Sequence, residues 1–364
     1  MRKHYIEKLV TMMADTEFDA VLVCPSEELK FFAGFSPMMC ERFQGLFIKK
    51  DGSLFYVCNL LYGDEIKESF NHEVPVYTWF DGDGMTNVVG KILEEQGLKG
   101  ATVGVNSSAQ AFNVLEISDK CGVNFKNAKP LMEEVRIRKT PEELDNLRKA
   151  AAVADAAFEP TIKFIRPGLT EGQIRDFMFE QMASRGGTNM WAIVASGPNS
   201  GFPHYSGYDR VIQENDLMVL DWGCEINEMQ SDISRTVFVG EPTEEQRHIY
   251  DLVDRSQLAS QEAAVEGAWI PDIDKAARDV LDEDGYAKTL INRVGHGIGY
   301  MVHEAPDIKE CNPRRLEKGM CFSIEPGIYL ANVYGMRIEN IVVINEKGET
   351  EILNKVTREL TVIK

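Results

Sequence analysis

The sequence predicts an α/β domain over residues 1–130, followed by a domain over residues 131–364 in which helices precede a strand-rich half, an α+β arrangement. Three observations carry this. Short apolar runs alternate with helical stretches in the first part, as in Phe18 to Val23 and Val88 to Glu95. The texture changes near Leu131 to Lys139, just before a strong helix start at Thr140. From Leu217 onward β-like runs dominate, broken only by helical stretches at Glu244 to Glu266 and Ile273 to Glu283. A chain of 364 residues is long for one compact domain and comfortable for two.

Taken in order, Phe18 to Val23 reads as a buried strand, and Pro25-Ser26 as a turn into a helix. Gly45 to Ile48 and Leu54 to Cys58 flank Asp51-Gly52, a hairpin signal. The helix over Val88 to Glu95 ends at Gly97 before the strand Ala101 to Val105. In Thr140-Pro141-Glu142-Glu143, Thr140 supplies an N-cap, Pro141 the first helical position and Glu143 the capping-box acid. That helix runs to about Phe164, where Arg166-Pro167-Gly168 stops it, and Thr170 to Ser184 forms a second capped segment.

Composition narrows the function. The formal net charge is −19, which opposes nucleic-acid binding in the absence of a basic stripe. Hydrophobic residues at 44% and charged residues at 27% are ordinary for a soluble globular protein. The N-terminus lacks a signal-peptide apolar core, and no stretch is long and apolar enough to span a membrane. The seven cysteines (24, 40, 58, 121, 224, 311, 321) are scattered and without CxxC spacing. Reduced thiols in a cytoplasmic protein fit best, with no zinc-thiolate site.

The chemistry concentrates in the second domain. Val219-Leu220-Asp221-Trp222-Gly223 and Ser231-Asp232-Ile233-Ser234 each place an aspartate in a β-like run. A hairpin turning near Ile226-Asn227 sets Asp221 opposite Asp232, with Cβ atoms ~4.5–5.5 Å apart. Two carboxylates that close need cations or protons between them. Three later residues join them: His296 in Gly295-His296-Gly297-Ile298-Gly299, Glu325 in Phe322-Ser323-Ile324-Glu325-Pro326-Gly327, and Glu339 in Arg337-Ile338-Glu339-Asn340. Glutamates are rarely buried unpaired, so acids within apolar runs point to one shared site. Four carboxylates and a neutral imidazole carry a charge of about −4, which two divalent cations cancel. Oxygen-rich ligands with one nitrogen suit Mn²⁺, Co²⁺, Fe²⁺ or Zn²⁺ alike.

These words, in this order, resemble the pita-bread metallopeptidases, the group of methionine aminopeptidase, aminopeptidase P and prolidase (Xaa-Pro dipeptidase). The resemblance covers about residue 130 to the end. Phe31-Phe32-Ala33-Gly34-Phe35 is similar to an aromatic-Gly-Phe word of the creatinase-type N-terminal domain, and so favours the prolidase, aminopeptidase P and creatinase branch. It implies a creatinase-type α/β domain followed by an α+β pita-bread catalytic domain, a homodimer, and a small peptide substrate cut at Xaa-Pro bonds, by a dipeptidase or an aminopeptidase P-like enzyme. It also implies that Asp221 binds one metal ion and His296 with Glu325 the other, while Asp232 and Glu339 bridge both. Glu325 then doubles as proton shuttle. His204, in Gly201-Phe202-Pro203-His204-Tyr205, and His303, in Val302-His303-Glu304-Ala305-Pro306, match two non-ligand histidines that hold substrate and stabilise the tetrahedral intermediate. Arg337 matches an arginine typical of this branch, either contacting substrate or neutralising nearby acids.

One departure stands out. Prolidases often carry a basic residue shortly after the His-Glu-x-Pro word, and here that position is Asp307. It keeps open a metal-dependent hydrolase or lyase of a small non-peptide substrate on the same fold. A non-catalytic peptide-binding pita-bread module is a third reading, disfavoured because all five ligand positions are filled. The Arg337-Ile338-Glu339-Asn340 word and the extra domain point away from a methionine aminopeptidase.

Overall fold

The computed structural model describes residues 1–364, which divide into two compact units, Met1–Arg136 and Ile137–Lys364. The first unit includes the helix Lys129–Arg136, so it ends past residue 130.

In the first unit a six-stranded sheet runs in the order Val76–Trp79, Leu54–Asn59, Gly45–Lys49, Ala20–Val23, Thr102–Val105, Asn124–Asn127. Only Gly45–Lys49 is antiparallel to its neighbours, because the Asp51-Gly52 hairpin joins it directly to Leu54–Asn59. Apolar strand residues such as Leu22, Phe47, Val57 and Val103 are fully buried under helices, Phe47 and Phe55 stacking with ring centroids 4.6 Å apart. Ser26 accepts from the Leu29 amide and so starts the helix Glu27–Ala33. Phe31 and Phe32 bury in this unit and Gly34 ends that helix with φ +86°, so the aromatic-Gly word serves packing.

The second unit is α+β. Helices Pro141–Phe164, Glu171–Ala183 and Glu244–Ala263 all begin with a complete capping box, at Thr140/Glu143, Thr170/Gln173 and Thr243/Gln246. One sheet has the order Thr361–Ile363, Ile233–Val239, Leu217–Ile226, Thr188–Ser196. The other has the order Glu304–Ile308, Gly295–Gly297, Cys321–Ile324, Asn340–Ile344, Thr350–Ile352, and Gly327–Leu330 pairs Tyr334–Arg337 as a separate ribbon. Strand Leu217–Ile226 shows how the sheet presents an acid. Leu220, Trp222 and Cys224 share a core with Ala154, Ala157 and Phe158 of helix Pro141–Phe164. Trp222 anchors that face, its Nε1 donating to Ala154 O at 2.9 Å. Since successive side chains point to opposite faces, Asp221 is turned the other way. No helix is long and apolar enough to cross a membrane, and all seven cysteines are free.

Candidate active site

The acids lie where two sheets of the second unit meet. The hairpin after Leu217–Ile226 turns at Asn227-Glu228, both with positive φ, and sets the register Asp221↔Ser234 and Trp222↔Ile233. Asp232 is therefore not opposite Asp221, as the sequence predicted, but two residues along. An even shift preserves the face, so the two aspartates still address the same space.

Glu325 and Glu339 each sit just beyond the end of a strand rather than inside one. The ladder between Cys321–Ile324 and Asn340–Ile344 closes with Ile324↔Asn340, and the two glutamates are the next residues on either side. Asp232 likewise immediately precedes strand Ile233–Val239. At these ends the backbone bonds elsewhere: Glu325 N–H donates to Val294 O at 2.7 Å and Glu339 N–H to Ser234 O at 3.1 Å. The second contact ties the two sheets together at the site. His296 occupies the centre of Gly295–Gly297, a strand squeezed between its neighbours. A Cβ on Gly295 would lie 1.9 Å from Ser323 O, and one on Gly297 2.2 Å from Ala305 C, so only glycine admits this approach.

Asp221, Asp232, His296 and Glu339 are buried, while Glu325 is partly open. Ligand atoms of Asp232, His296 and Glu339 all lie within 4.8 Å of one another. His296 Nε2 is 3.5 Å from Asp232 Oδ2 and 3.2 Å from Glu325 Oε1. His296 Nδ1 is 3.1 Å from Gly297 O, an acceptor only, so it carries the proton and Nε2 presents its lone pair to the acids. Burial, with His303 and Arg293 nearby, holds the His296 pKa well below the usual range and keeps the ring neutral.

The carboxylates cannot all be charged here unaided. Burial and the charges of Glu339, Asp221 and Glu325 push Asp232 well above the carboxylate range. Burial and Glu339 do the same to Glu325. Burial and Asp221 push Glu339 up to about 7, against the opposing pull of Arg337 and Ser234. Asp221 Oδ1, Asp232 Oδ1 and Glu339 Oε1 are buried without a hydrogen-bond partner. Buried orphan acceptors are rare, and the orphan oxygens on Asp232 and Glu339, in a cluster with His296 and with Asp221 close enough to raise both their pKa values, fit a divalent cation.

The other predicted residues divide by exposure. His204 and His303 are exposed, with ring centroids 6.3 Å apart, and His303 packs edge-on against His296 at 4.3 Å. The packed part of the His303 ring, with Arg293 and His204, lowers its pKa. Arg337 is buried, and its guanidinium is engaged within the protein. It donates to Asp221 Oδ2 at 2.6 Å, Ser234 Oγ and Tyr329 Oη at 2.8 Å each, and Pro203 O at 3.4 Å. Of the two roles the sequence left open, this geometry fits the neutralising one.

Ser234, Tyr329 and Arg293 also bear on the site, without a motif that singles them out in the sequence. Ser234 is legible afterwards, since it follows Asp232 by two and shares its face. Arg293, three residues before His296, donates to Asp307 Oδ1 at 2.7 Å, and Lys309 donates to Asp307 Oδ2 at 2.6 Å. The acid found where a basic residue is common is thus paired with two cations.

Residues 145–346 match the model of metallopeptidase family M24, and residues 6–138 match the creatinase/prolidase N-terminal domain. The Xaa-Pro dipeptidase of Pyrococcus furiosus is 34% identical over 363 residues, covering 98% of this chain and 99% of its own. The Xaa-Pro dipeptidase of Lactobacillus helveticus is 33% identical over 351 residues, covering 94% and 95%. Among solved structures, dipeptidase PepE from Mycobacterium ulcerans superposes with a TM-score of 0.92 at 32% identity, covering 100% of this chain and 99% of its own. The prolidase from Thermococcus sibiricus gives 0.91 at 29% identity over 100% and 99%. Similarity that runs through both units, on a fold whose buried acids call for cations, leaves one conclusion: the chain belongs to metallopeptidase family M24, in the pita-bread branch with a creatinase/prolidase N-terminal domain.

Proposed function

We propose that the protein is a metal-dependent exopeptidase that hydrolyses Xaa-Pro bonds in small peptides. The observation that carries the reading is the cluster of Asp232, His296 and Glu339 ligand atoms within 4.8 Å of one another, with buried carboxylate oxygens left without hydrogen-bond partners on Asp232, Glu339 and Asp221, in a chain similar over its whole length to Xaa-Pro dipeptidases. Divalent ions, two by the charge of the set, would be held by Asp221, Asp232, His296, Glu325 and Glu339. Manganese, cobalt, zinc and iron all suit this ligand set. Such ions, when bound, acidify water and polarise the scissile carbonyl.

The chain's own residues do the rest. Glu325, the most open of the four acids, holds a proton at its carboxyl and passes it toward the leaving nitrogen. His204 and His303 face solvent and orient the peptide, donating toward the oxygen on which charge develops. Arg337 holds Asp221 in place and is a positioning residue. Arg293 and Lys309 neutralise Asp307, so a substrate carboxylate meets no free negative charge there.

A homodimer in the cytoplasm accords with the reading. The test is hydrolysis of Xaa-Pro dipeptides and tripeptides by metal-stripped protein reloaded with Mn²⁺, Co²⁺ or Zn²⁺. Metal-restored cleavage before proline is the expected result, and the length cut distinguishes a dipeptidase from an aminopeptidase P. Two bound ions with neither length cleaved would overturn the substrate and favour a small non-peptide one.

A further inference from the structure

His303 ends a short turn, residues 299–303, that joins strands Gly295–Gly297 and Glu304–Ile308. The turn has no regular ladder of its own, yet its last residue carries an imidazole that has to meet a substrate. Two tethers hold it. At one end, Glu304 Oε1 accepts from Lys139 Nζ at 2.5 Å, and both side chains are 1% exposed. At the other, Tyr300 Oη donates to Glu143 Oε1 at 2.6 Å. Both tethers finish at the start of helix Pro141–Phe164. Glu143 is the capping-box acid of that helix, and Lys139 directly precedes its N-cap and donates its own amide to Gly319 O at 2.7 Å. Gly299 lies against the ion pair, where a Cβ would come within 2.3 Å of both Glu304 Oε1 and Lys139 Cε.

A fully buried ion pair is a poor device for stability alone, since apolar side chains of similar volume serve as well or better. What it gives is direction. A charge-assisted hydrogen bond fixes an atom where apolar contact fixes only a volume. The residue whose backbone is so fixed adjoins His303, whose ring stands 4.3 Å from that of His296 and 6.3 Å from that of His204.

We infer that Lys139 and Glu304, with Tyr300 and Glu143, are positioning residues that set where the His303 imidazole meets the substrate. The inference rests on the reading of His303 as a substrate-contacting group, and its test separates the two. Lys139→Met/Glu304→Leu replaces the pair by apolar groups and keeps the volume. Turnover of an Ala-Pro dipeptide by the metal-saturated enzyme is measured in the wild-type and His303→Gln backgrounds. The expected result is a fall in kcat of about tenfold to hundredfold in the wild-type background, less than about twofold in His303→Gln, and unchanged metal content. An equal fall in both backgrounds, or no fall in either, overturns the inference. Should the double replacement not fold, Tyr300→Phe gives the same comparison on the second tether, with a smaller fall expected only where His303 is present. If His303→Gln itself is silent, the role of His303 fails. The tethers are then judged on the ¹⁵N imidazole signals of the six histidines. Broadening or displacement of the His303 signal in the double variant upholds them, and an unchanged signal overturns them.

Discussion

Ser234 stands directly across the ladder from Asp221, and its single hydroxyl serves two partners of the site: Oγ donates to Glu339 Oε2 at 2.7 Å and accepts from Arg337 Nε at 2.8 Å. One small side chain thus orients an acid from the other sheet and the arginine that holds Asp221. Ser234→Ala leaves the strand intact and frees both. Apparent affinity for Mn²⁺ is expected to fall about tenfold to hundredfold, read by titration calorimetry on metal-stripped protein. An unchanged affinity would remove Ser234 from the site.

The protonation of the acids links metal binding to pH. Glu339 is raised from its ordinary 4.5 to about 7, so the metal-free fold holds a proton that the unfolded chain releases earlier. The stability this group contributes is fully present below about pH 4.5 and is lost as pH rises through about 7. A cation displaces that proton, so its affinity rises over the same window. The gain in Tm on adding Mn²⁺ is expected to grow from pH 5 to pH 7. Calorimetry at pH 6 in two buffers of different ionisation enthalpy is expected to show proton release. A Tm gain independent of pH, with no protons released, would contradict the assignment of Glu339.

Arg337 is predicted to act on the metal rather than on the peptide. Burial works against its charge, but Tyr329, Asp221, Glu325 and Glu339 together raise its pKa well beyond the ordinary value. Arg337→Lys keeps a cation but cannot reach Asp221, Ser234 and Tyr329 together. The expected outcome is weaker metal binding and lower kcat, with KM at saturating metal changed less than about threefold. A large rise in KM with metal binding intact would instead make it a substrate contact.

How far the site could be read from sequence depends on which contacts are local. Capping boxes at Thr140, Thr170 and Thr243 close within four residues, and each helix begins at its box. The acids were visible because a carboxylate within an apolar run has no cheap explanation. Their register was not: whether Asp221 meets Asp232 or Ser234 depends on a turn at Asn227-Glu228 rather than one residue earlier, a choice governed by backbone conformation more than by hydrophobic pattern. The pairing of Asp307 with Arg293 was equally hidden, since the residues lie 14 apart on different strands or loops. Nor did sequence disclose that Lys139, at the domain junction, reaches Glu304, 165 residues later.

The strand that carries Asp221 depends on Trp222 for its seating on helix Pro141–Phe164. Trp222 is fully buried, stacks on Phe158 with centroids 5.9 Å apart, and donates to Ala154 O. Trp222→Phe keeps an aromatic ring but loses the donor and part of the volume. A destabilisation of about 1–3 kcal/mol is expected in urea unfolding, with metal stoichiometry retained. A loss below about 0.5 kcal/mol would show that the helix is held mainly by its other contacts.

Glu325 combines two positions that no other acid of the site shares. It lies 3.2 Å from His296 Nε2, close enough to serve the same ion, and it is the most open of the four acids. In the metal-free fold burial and Glu339 raise its pKa. Glu325→Gln preserves shape and one carbonyl oxygen but removes the titrating proton. With Mn²⁺ at saturation, the variant is expected to bind metal more weakly yet to full occupancy, while kcat falls about 10²–10⁴-fold. The two readouts separate the roles. Activity recovering in proportion to metal occupancy would make Glu325 a ligand only. Full occupancy with turnover still lost would establish that Glu325 does more than hold the ion.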